Sequence, residues 1–321
     1  MAACFSFSYT LNSYFRRSFS MAGLKSITTD LREGTIIHCW APKFRRDTKP
    51  NLLLIHGFGA NAMWQWNKFI SPMIRFFNVY VPDLIFFGNS YTTRPERTES
   101  FQALCMMRLM DSLDVQTVNV VGISYGGFVA YSMAAQFPER LEKLVLCCAG
   151  VCLEEKDMAD GMFVVKNIDE AADILLPQTP ARLKELIRLT FVKPARFLPT
   201  FIINDFINVM CKEYQQEKEE LIKQLLKDRT LSNLPKIDKT TLILWGDQDQ
   251  VFPLELANRL KRHVGEKAEL VVIKKAGHAF IAEKPRKMYK HIKAFLTTNP
   301  TLSPSTNPPF CSVLLLANQS K

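Results

Sequence analysis

Short apolar runs bounded by turn residues recur along the first 150 positions and again over residues 241–273, and the stretches between them carry helical periodicity. Seven runs predict strands: residues 36–40, 51–55, 79–82, 118–123, 143–148, 241–245 and 268–273. Their Val, Ile and Leu content is nearly continuous rather than alternating. That is the pattern of strands covered on both faces, so the chain predicts an α/β fold with a mostly parallel sheet between helical layers. From 151 to 234 no strand pattern is found. Helical spacing of about 3.6 replaces it at 181–191, 197–210 and 212–229, interrupted by Pro194 and Pro199. The chain therefore divides into an N-terminal segment (1–30), a first core part (31–150), a helical insertion that reads as a lid (151–234), a second core part (235–296) and a tail (297–321). The Thr, Asn, Ser and Pro content of the tail predicts disorder.

The 321 residues, 47% apolar and 22% charged, suit one large domain. No run of apolar residues is long enough to cross a bilayer as a helix. The net charge of +10 is spread along the chain and is read as solubility. There is no base-reading basic helix and no aromatic platform, so no nucleic-acid partner is expected. The eight cysteines contain no C-x-x-C pair or metal-ligand spacing and are read as reduced core thiols, with neither a metal nor an organic cofactor expected. Residues 1–23 hold no acidic residue and include Arg16 and Arg17. Two readings stand: an organelle transit peptide, or a short helix with Phe15, Phe19 and Leu24 on one face, resting on the domain or peripherally on a membrane. The first places the protein in a chloroplast or mitochondrion, the second in the cytoplasm. Oligomeric state is not legible.

The candidate chemistry centres on residues 120–127, VVGISYGG, where a strand pattern runs into a helical one. A serine exposed on a sharp strand-to-helix turn needs small neighbours, which makes Gly122 and Gly126 a steric requirement around Ser124. A serine hydroxyl is a weak nucleophile and needs a base, which in turn needs a partner to fix its tautomer. Of five histidines, His38 lies in a strand, His56 precedes Gly57, and His263 and His291 fall in helical stretches; His278 alone sits in a loop after a strand. Two acids follow the sixth strand, and Asp249, in the loop proper, is preferred as the residue that orients His278. Asp247 is expected to hold the turn through an Asx-type bond. The oxyanion donors expected are the backbone amides of Phe58, in the Gly-flanked loop after the second strand, and Tyr125. His56 is expected to brace that loop.

Together HGFG (56–59), PDLIFFGNS (82–90), GISYGG (122–127), WGDQDQVFP (245–253) and AGHAF (276–280) resemble the α/β-hydrolase superfamily over about 36–296, excluding the helical insertion. The order Ser, Asp, His is that of the superfamily. In many relatives the third strand is followed by D-x-x-G-x-G-x-S; here Phe86 stands at the first glycine, so that Phe86 and Phe87 either narrow the pocket or pack beneath the lid. Ser124 separates the chain from epoxide hydrolases and haloalkane dehalogenases, which use Asp. The resemblance is greatest to plant hydrolases similar to monoacylglycerol lipases and to carbon–carbon hydrolases of ring-cleavage products. It implies a small-molecule substrate and three readings: an ester hydrolase for an apolar substrate, a hydrolase of vinylogous diketones, or a ligand receptor on the same fold. The apolar spacing of Phe197, Phe201, Ile202 and Phe206 points to an apolar pocket, with lid packing as the alternative.

Overall fold

The computed structural model describes residues 6–298 except residue 196. The tail from 299 onward lies outside the described residues. One nine-stranded sheet forms the centre: β1 (Leu24–Asp30), β2 (Thr35–Pro42), β3 (Asn51–Ile55), β4 (Asn78–Pro82), β5 (Tyr91–Thr92), β6 (Val118–Ile123), β7 (Leu141–Cys147), β8 (Thr241–Gly246) and β9 (Ala268–Ile273), in the order β1-β2-β4-β3-β6-β7-β8-β9 with β5 on β2. From β4 to β9 the pairs are parallel; β2 joins β1, β4 and β5 antiparallel. Every residue of β4, β6 and β8 is buried, as the continuous apolar runs require.

The helices are α1 (Phe7–Met21), α2 (Ala62–Met73), α3 (Glu99–Ser112), α4 (Tyr125–Gln136), α5 (Lys156–Ala159), α6 (Ile168–Leu175), α7 (Pro180–Thr190), α8 (Thr200–Met210), α9 (Gln215–Leu226), α10 (Leu254–Val264), α11 (Phe280–Glu283) and α12 (Pro285–Thr297). Helices α3 and α4 pack together on one face of the sheet, and α2 and α12 together on the other. Between β7 and β8 the chain is helical throughout α5–α9, with a small apolar cluster of its own made by Leu183, Ile203, Ile207 and Cys211. Helix α8 begins at Thr200 because Pro199 takes an extended conformation at its cap, and α9 begins after Tyr214, held at φ +53°.

Two strands were not expected. Strand β1 is an edge strand whose exposed Lys25, Thr28 and Asp30 dilute its apolar signal, and β5 has two residues. Residues 7–21 form a helix that docks on the body of the protein: Phe19 is fully buried against Trp40, and Phe15 packs edge-on against Trp64. Phe86 and Phe87 are buried packing residues. Phe86 sits at φ +73°, the left-handed region that favours glycine, between Tyr214 and the Arg97 guanidinium. Cys39, Cys105, Cys147, Cys148, Cys152 and Cys211 are buried free thiols.

Candidate active site

The chain leaves β3 for β4 on one side and returns through α3 to β6 on the other, so the crevice outside the carboxyl ends of β3 and β6 is where the strand order reverses. Ser124 stands there, at the tip of β6. Its backbone is held at φ +52°, ψ −123°, by its amide on the Cys147 carbonyl (2.8 Å) and by its own carbonyl accepting from Gly127 N (2.8 Å). A Cβ at Gly122 would lie 2.2 Å from the Gly126 carbonyl oxygen, and one at Gly126 would lie 2.4 Å from that of His56, so only glycine lets the turn close.

His278, in the loop after β9, places Nε2 2.9 Å from Ser124 Oγ and Nδ1 2.8 Å from Asp249 Oδ2. Burial disfavours the imidazolium, but the adjacent Asp249 carboxylate outweighs it and holds the His278 pKa well above the ordinary histidine range. Asp249 is itself fixed: Oδ1 accepts from the amides of Val251 and Phe252, both at 2.9 Å. That Asx-type turn belongs to Asp249 and not to Asp247, as the sequence had suggested. Asp247 directly follows β8 and still pairs toward β9, so its carboxylate reaches across to the Ala276 amide (3.2 Å). The His278 loop is tied to the helical insertion through Ala279 N on the Thr190 carbonyl (2.8 Å). Glu283 accepts from the amides of Gly277 and Val192.

Tyr125 is the first residue of α4, so the helix leaves its amide without an intrahelical acceptor. The Phe58 amide has no hydrogen-bond acceptor among the described residues. His56 braces the loop between them: its Nδ1 donates to the Gly57 carbonyl (2.8 Å) and its Nε2 accepts from Leu84 N (2.9 Å). Accepting at Nε2 requires neutral imidazole, and burial pushes the pKa of His56 down. Sequence reasoning missed Gln65. Its Oε1 accepts from Gly57 N (2.9 Å), and its Nε2 donates to the carbonyls of Gly57 (2.9 Å) and Phe58 (3.1 Å), clamping the loop from α2. No sequence signal marks it, because the contact depends on how α2 leaves the loop.

A second Ser–His–Asp chain exists. Ser26 Oγ lies 2.8 Å from His38 Nε2, and His38 Nδ1 lies 2.8 Å from Asp83 Oδ2. Distances alone do not separate the two. Ser26 lies within regular strand β1 and borders none of the cavity that Ser124 opens into, whereas Ser124 sits on a strained turn beside two unclaimed amides. Asp83 is used structurally, its other oxygen accepting from Ala62 N at the start of α2 (3.0 Å). As for metals, the one His, Cys and acid group with ligand atoms close together among the described residues is Cys148, Asp249 and His278, within 4.8 Å of one another; two of these are already engaged with Ser124 or with each other.

Ser124 and His278 open into a cavity of about 380 Å³. Its walls are apolar: Leu183, Leu186 and Ile187 from α7, Ile202, Ile203 and Phe206 from α8, and Phe7 from α1. No Lys, Arg, Asp or Glu lines it among the described residues. Of the aromatics singled out in the sequence, Phe206 lines the cavity while Phe197 and Phe201 face outward, 81% and 66% exposed.

The sequence profile described as alpha/beta hydrolase fold matches residues 50–285. The chain belongs to that family. It is 28% identical to the monoacylglycerol lipase ABHD6 of Mus musculus over 278 residues, 81% of this chain and 79% of the relative. It is 27% identical to the 2-hydroxy-6-oxo-2,4-heptadienoate hydrolase of Pseudomonas putida over 256 residues, 76% and 88% of the two chains. Among solved structures, a bacterial membrane phospholipase A superimposes with a TM-score of 0.74 at 25% identity, covering 90% of this chain and 91% of that one. A putative lipase of Acinetobacter baumannii shares the fold, with a TM-score of 0.78 at 24% identity over 92% and 98%. The chain is a hydrolase of this fold, its relatives acting on small molecules. No helix among the described residues is long and apolar enough to cross a membrane.

Proposed function

We propose that the protein is a serine hydrolase of carboxylic esters with an apolar acyl group. The observation that carries this reading is the unbroken hydrogen-bond chain from Asp249 through His278 to Ser124, opening into a cavity with apolar walls. Ser124 Oγ attacks the ester carbonyl as His278 Nε2 takes its proton. The oxyanion forms between the amides of Phe58 and Tyr125, and each such donor is worth about 2.7–4 kcal/mol in the transition state. His278 passes the proton to the departing alcohol, then activates the water that cleaves the acyl-enzyme. Asp249 stabilises the imidazolium present in each tetrahedral intermediate, between uptake of the proton by His278 and its release to the leaving group. Helices α5–α9 act as the lid, and the bonds from Thr190 and Glu283 to the His278 loop connect lid position to the base.

The carbon–carbon reading has the Pseudomonas relative in its favour. A dienoate brings a carboxylate into the pocket, and no cationic side chain among the described lining residues stands ready to pair it, so its burial is costly. This favours the ester. A p-nitrophenyl ester series from acetate to long acyl chains tests it: wild type turns over and Ser124→Ala falls by about 10⁶ in kcat, the loss typical of removing such a nucleophile. Equal, near-background rates for both proteins would transfer the reading to dienoates or to ligand binding without turnover.

A further inference from the structure

The family profile begins at residue 50, yet the first helix, formed well before it, borders the cavity. Phe7 and Ser8, the first two residues of α1, line the same cavity as Ser124 and His278. Three contacts hold α1 there. Ser8 N donates to Asp205 Oδ2 of α8 at 2.7 Å, so the lid supplies an acceptor for one of the amides that the start of a helix leaves unpaired, and a negative charge for the positive end of its dipole. Trp64 Nε1 of α2 donates to Asn12 Oδ1 at 2.6 Å. The Trp64 indole packs edge-on against Phe15 of α1 on one side and Phe206 of α8 on the other, with ring centroids 5.6 Å apart in both pairs. Trp64, Phe206 and Ile203 also line the cavity, so the seam between α1, α2 and α8 is itself a piece of pocket wall. Asp205 is the one acid on α8, and the Ser8 amide spends it on α1 rather than on solvent.

We propose that α1 is a wall of the substrate pocket, forming with α2 and α8 a subsite for the hydrocarbon of a long acyl chain, and that Asp205 is the positioning residue that keeps this wall closed. This rests on the esterase reading above and extends it. The subsite consists of Phe7, Ser8, Trp64, Ile203 and Phe206. A chain too short to reach it is indifferent to α1; a long chain loses contact with the wall when α1 swings away. Loss of one apolar wall contact is worth about tenfold or more in discrimination.

The test compares wild type with Phe7→Ala, Asp205→Ala and Asp205→Asn on acetyl and long-chain p-nitrophenyl esters. Phe7→Ala and Asp205→Ala raise KM for the long chain about tenfold with kcat retained, and leave acetate kcat/KM unchanged within a factor of two to three. Asp205→Asn, whose side-chain oxygen still accepts from Ser8 N, recovers most of the long-chain KM. A merely structural role would lower both substrates together, with no recovery by asparagine. Independently of turnover, calorimetry measures binding of a long-chain fatty acid to Ser124→Ala and to the same protein carrying Phe7→Ala; the second binds about tenfold more weakly. If wild type hydrolyses no ester but this binding difference stands, the esterase reading fails and the subsite survives. Equal binding, or equal losses on short and long chains, overturns the subsite.

Discussion

Replacing Gln65 with Leu separates what holds the oxyanion loop from what binds substrate. The substitution keeps the bulk of the side chain and removes three hydrogen bonds, to Gly57 N, Gly57 O and Phe58 O. At about 0.5–1.5 kcal/mol each, the loss in stability is about 1.5–4.5 kcal/mol. A domain with an ordinary margin of about 5–15 kcal/mol remains folded at 25 °C, so a change in rate reports the site and not the unfolded fraction. The catalytic cost follows from the Phe58 amide. If the released loop turned that amide away entirely, one donor worth about 2.7–4 kcal/mol would be lost; His56 still ties Gly57 to the loop after β4, so the loss is partial. The expected fall in kcat is between about tenfold and 10²-fold, with KM within a factor of about three, because the interaction is made only in the transition state. Steady-state kinetics on a soluble short-chain ester, alongside thermal unfolding, measures both quantities. An unchanged kcat with a raised KM would refute the clamp, as would an activity loss that tracks the unfolded fraction.

Other consequences follow from the same geometry. In the proposed mechanism His278 must be neutral to accept the Ser124 proton, and its pKa is raised by Asp249, so kcat/KM is expected to climb with pH through an apparent pKa above the ordinary histidine range; Asp249→Asn is expected to move that limb to lower pH while cutting kcat by about 10⁴. A pH–rate profile of both proteins decides it, and an unmoved limb would count against the pairing. At Phe86 two effects oppose each other: glycine relieves a positive φ costing about 1–2 kcal/mol but empties a buried aromatic site worth about 3–5 kcal/mol. Packing wins, so Phe86→Gly destabilises by about 1–4 kcal/mol in urea unfolding, and a stabilised variant would show that the strain had been the larger quantity.

The legible parts of this protein were those whose physics is local. Strands such as β6 and β8 are buried on both faces, so their apolar runs could not be mistaken, whereas β1 lies at an edge with alternate residues in water. Ser124 was marked by Gly122 and Gly126, whose absent side chains are demanded by contacts of 2.2 and 2.4 Å within the turn and its neighbouring loop. His278 and Asp249 could be singled out in the sequence because each follows a strand at the same end of the sheet, and the structure brings their side chains within 2.8 Å. Gln65, Glu283 and the Asp205 carboxylate were invisible for the opposite reason: each acts on a backbone amide that only tertiary packing brings to it, and Asp205 and Ser8 are separated by 197 positions. The sequence allowed α1 to rest on the domain, but the place of Phe7 in the pocket depends on where α8 returns.

In the proposed mechanism Ser124 carries the acyl group between two half-reactions. Intact-mass spectrometry of acid-quenched enzyme during turnover of a slowly deacylating ester tests it directly, with peptide mapping of the adduct. The expected result is a single added acyl mass on the peptide containing Ser124, absent from Ser124→Ala and released on further incubation. Turnover with no adduct, or an adduct mapped to another residue such as Ser26, would contradict it.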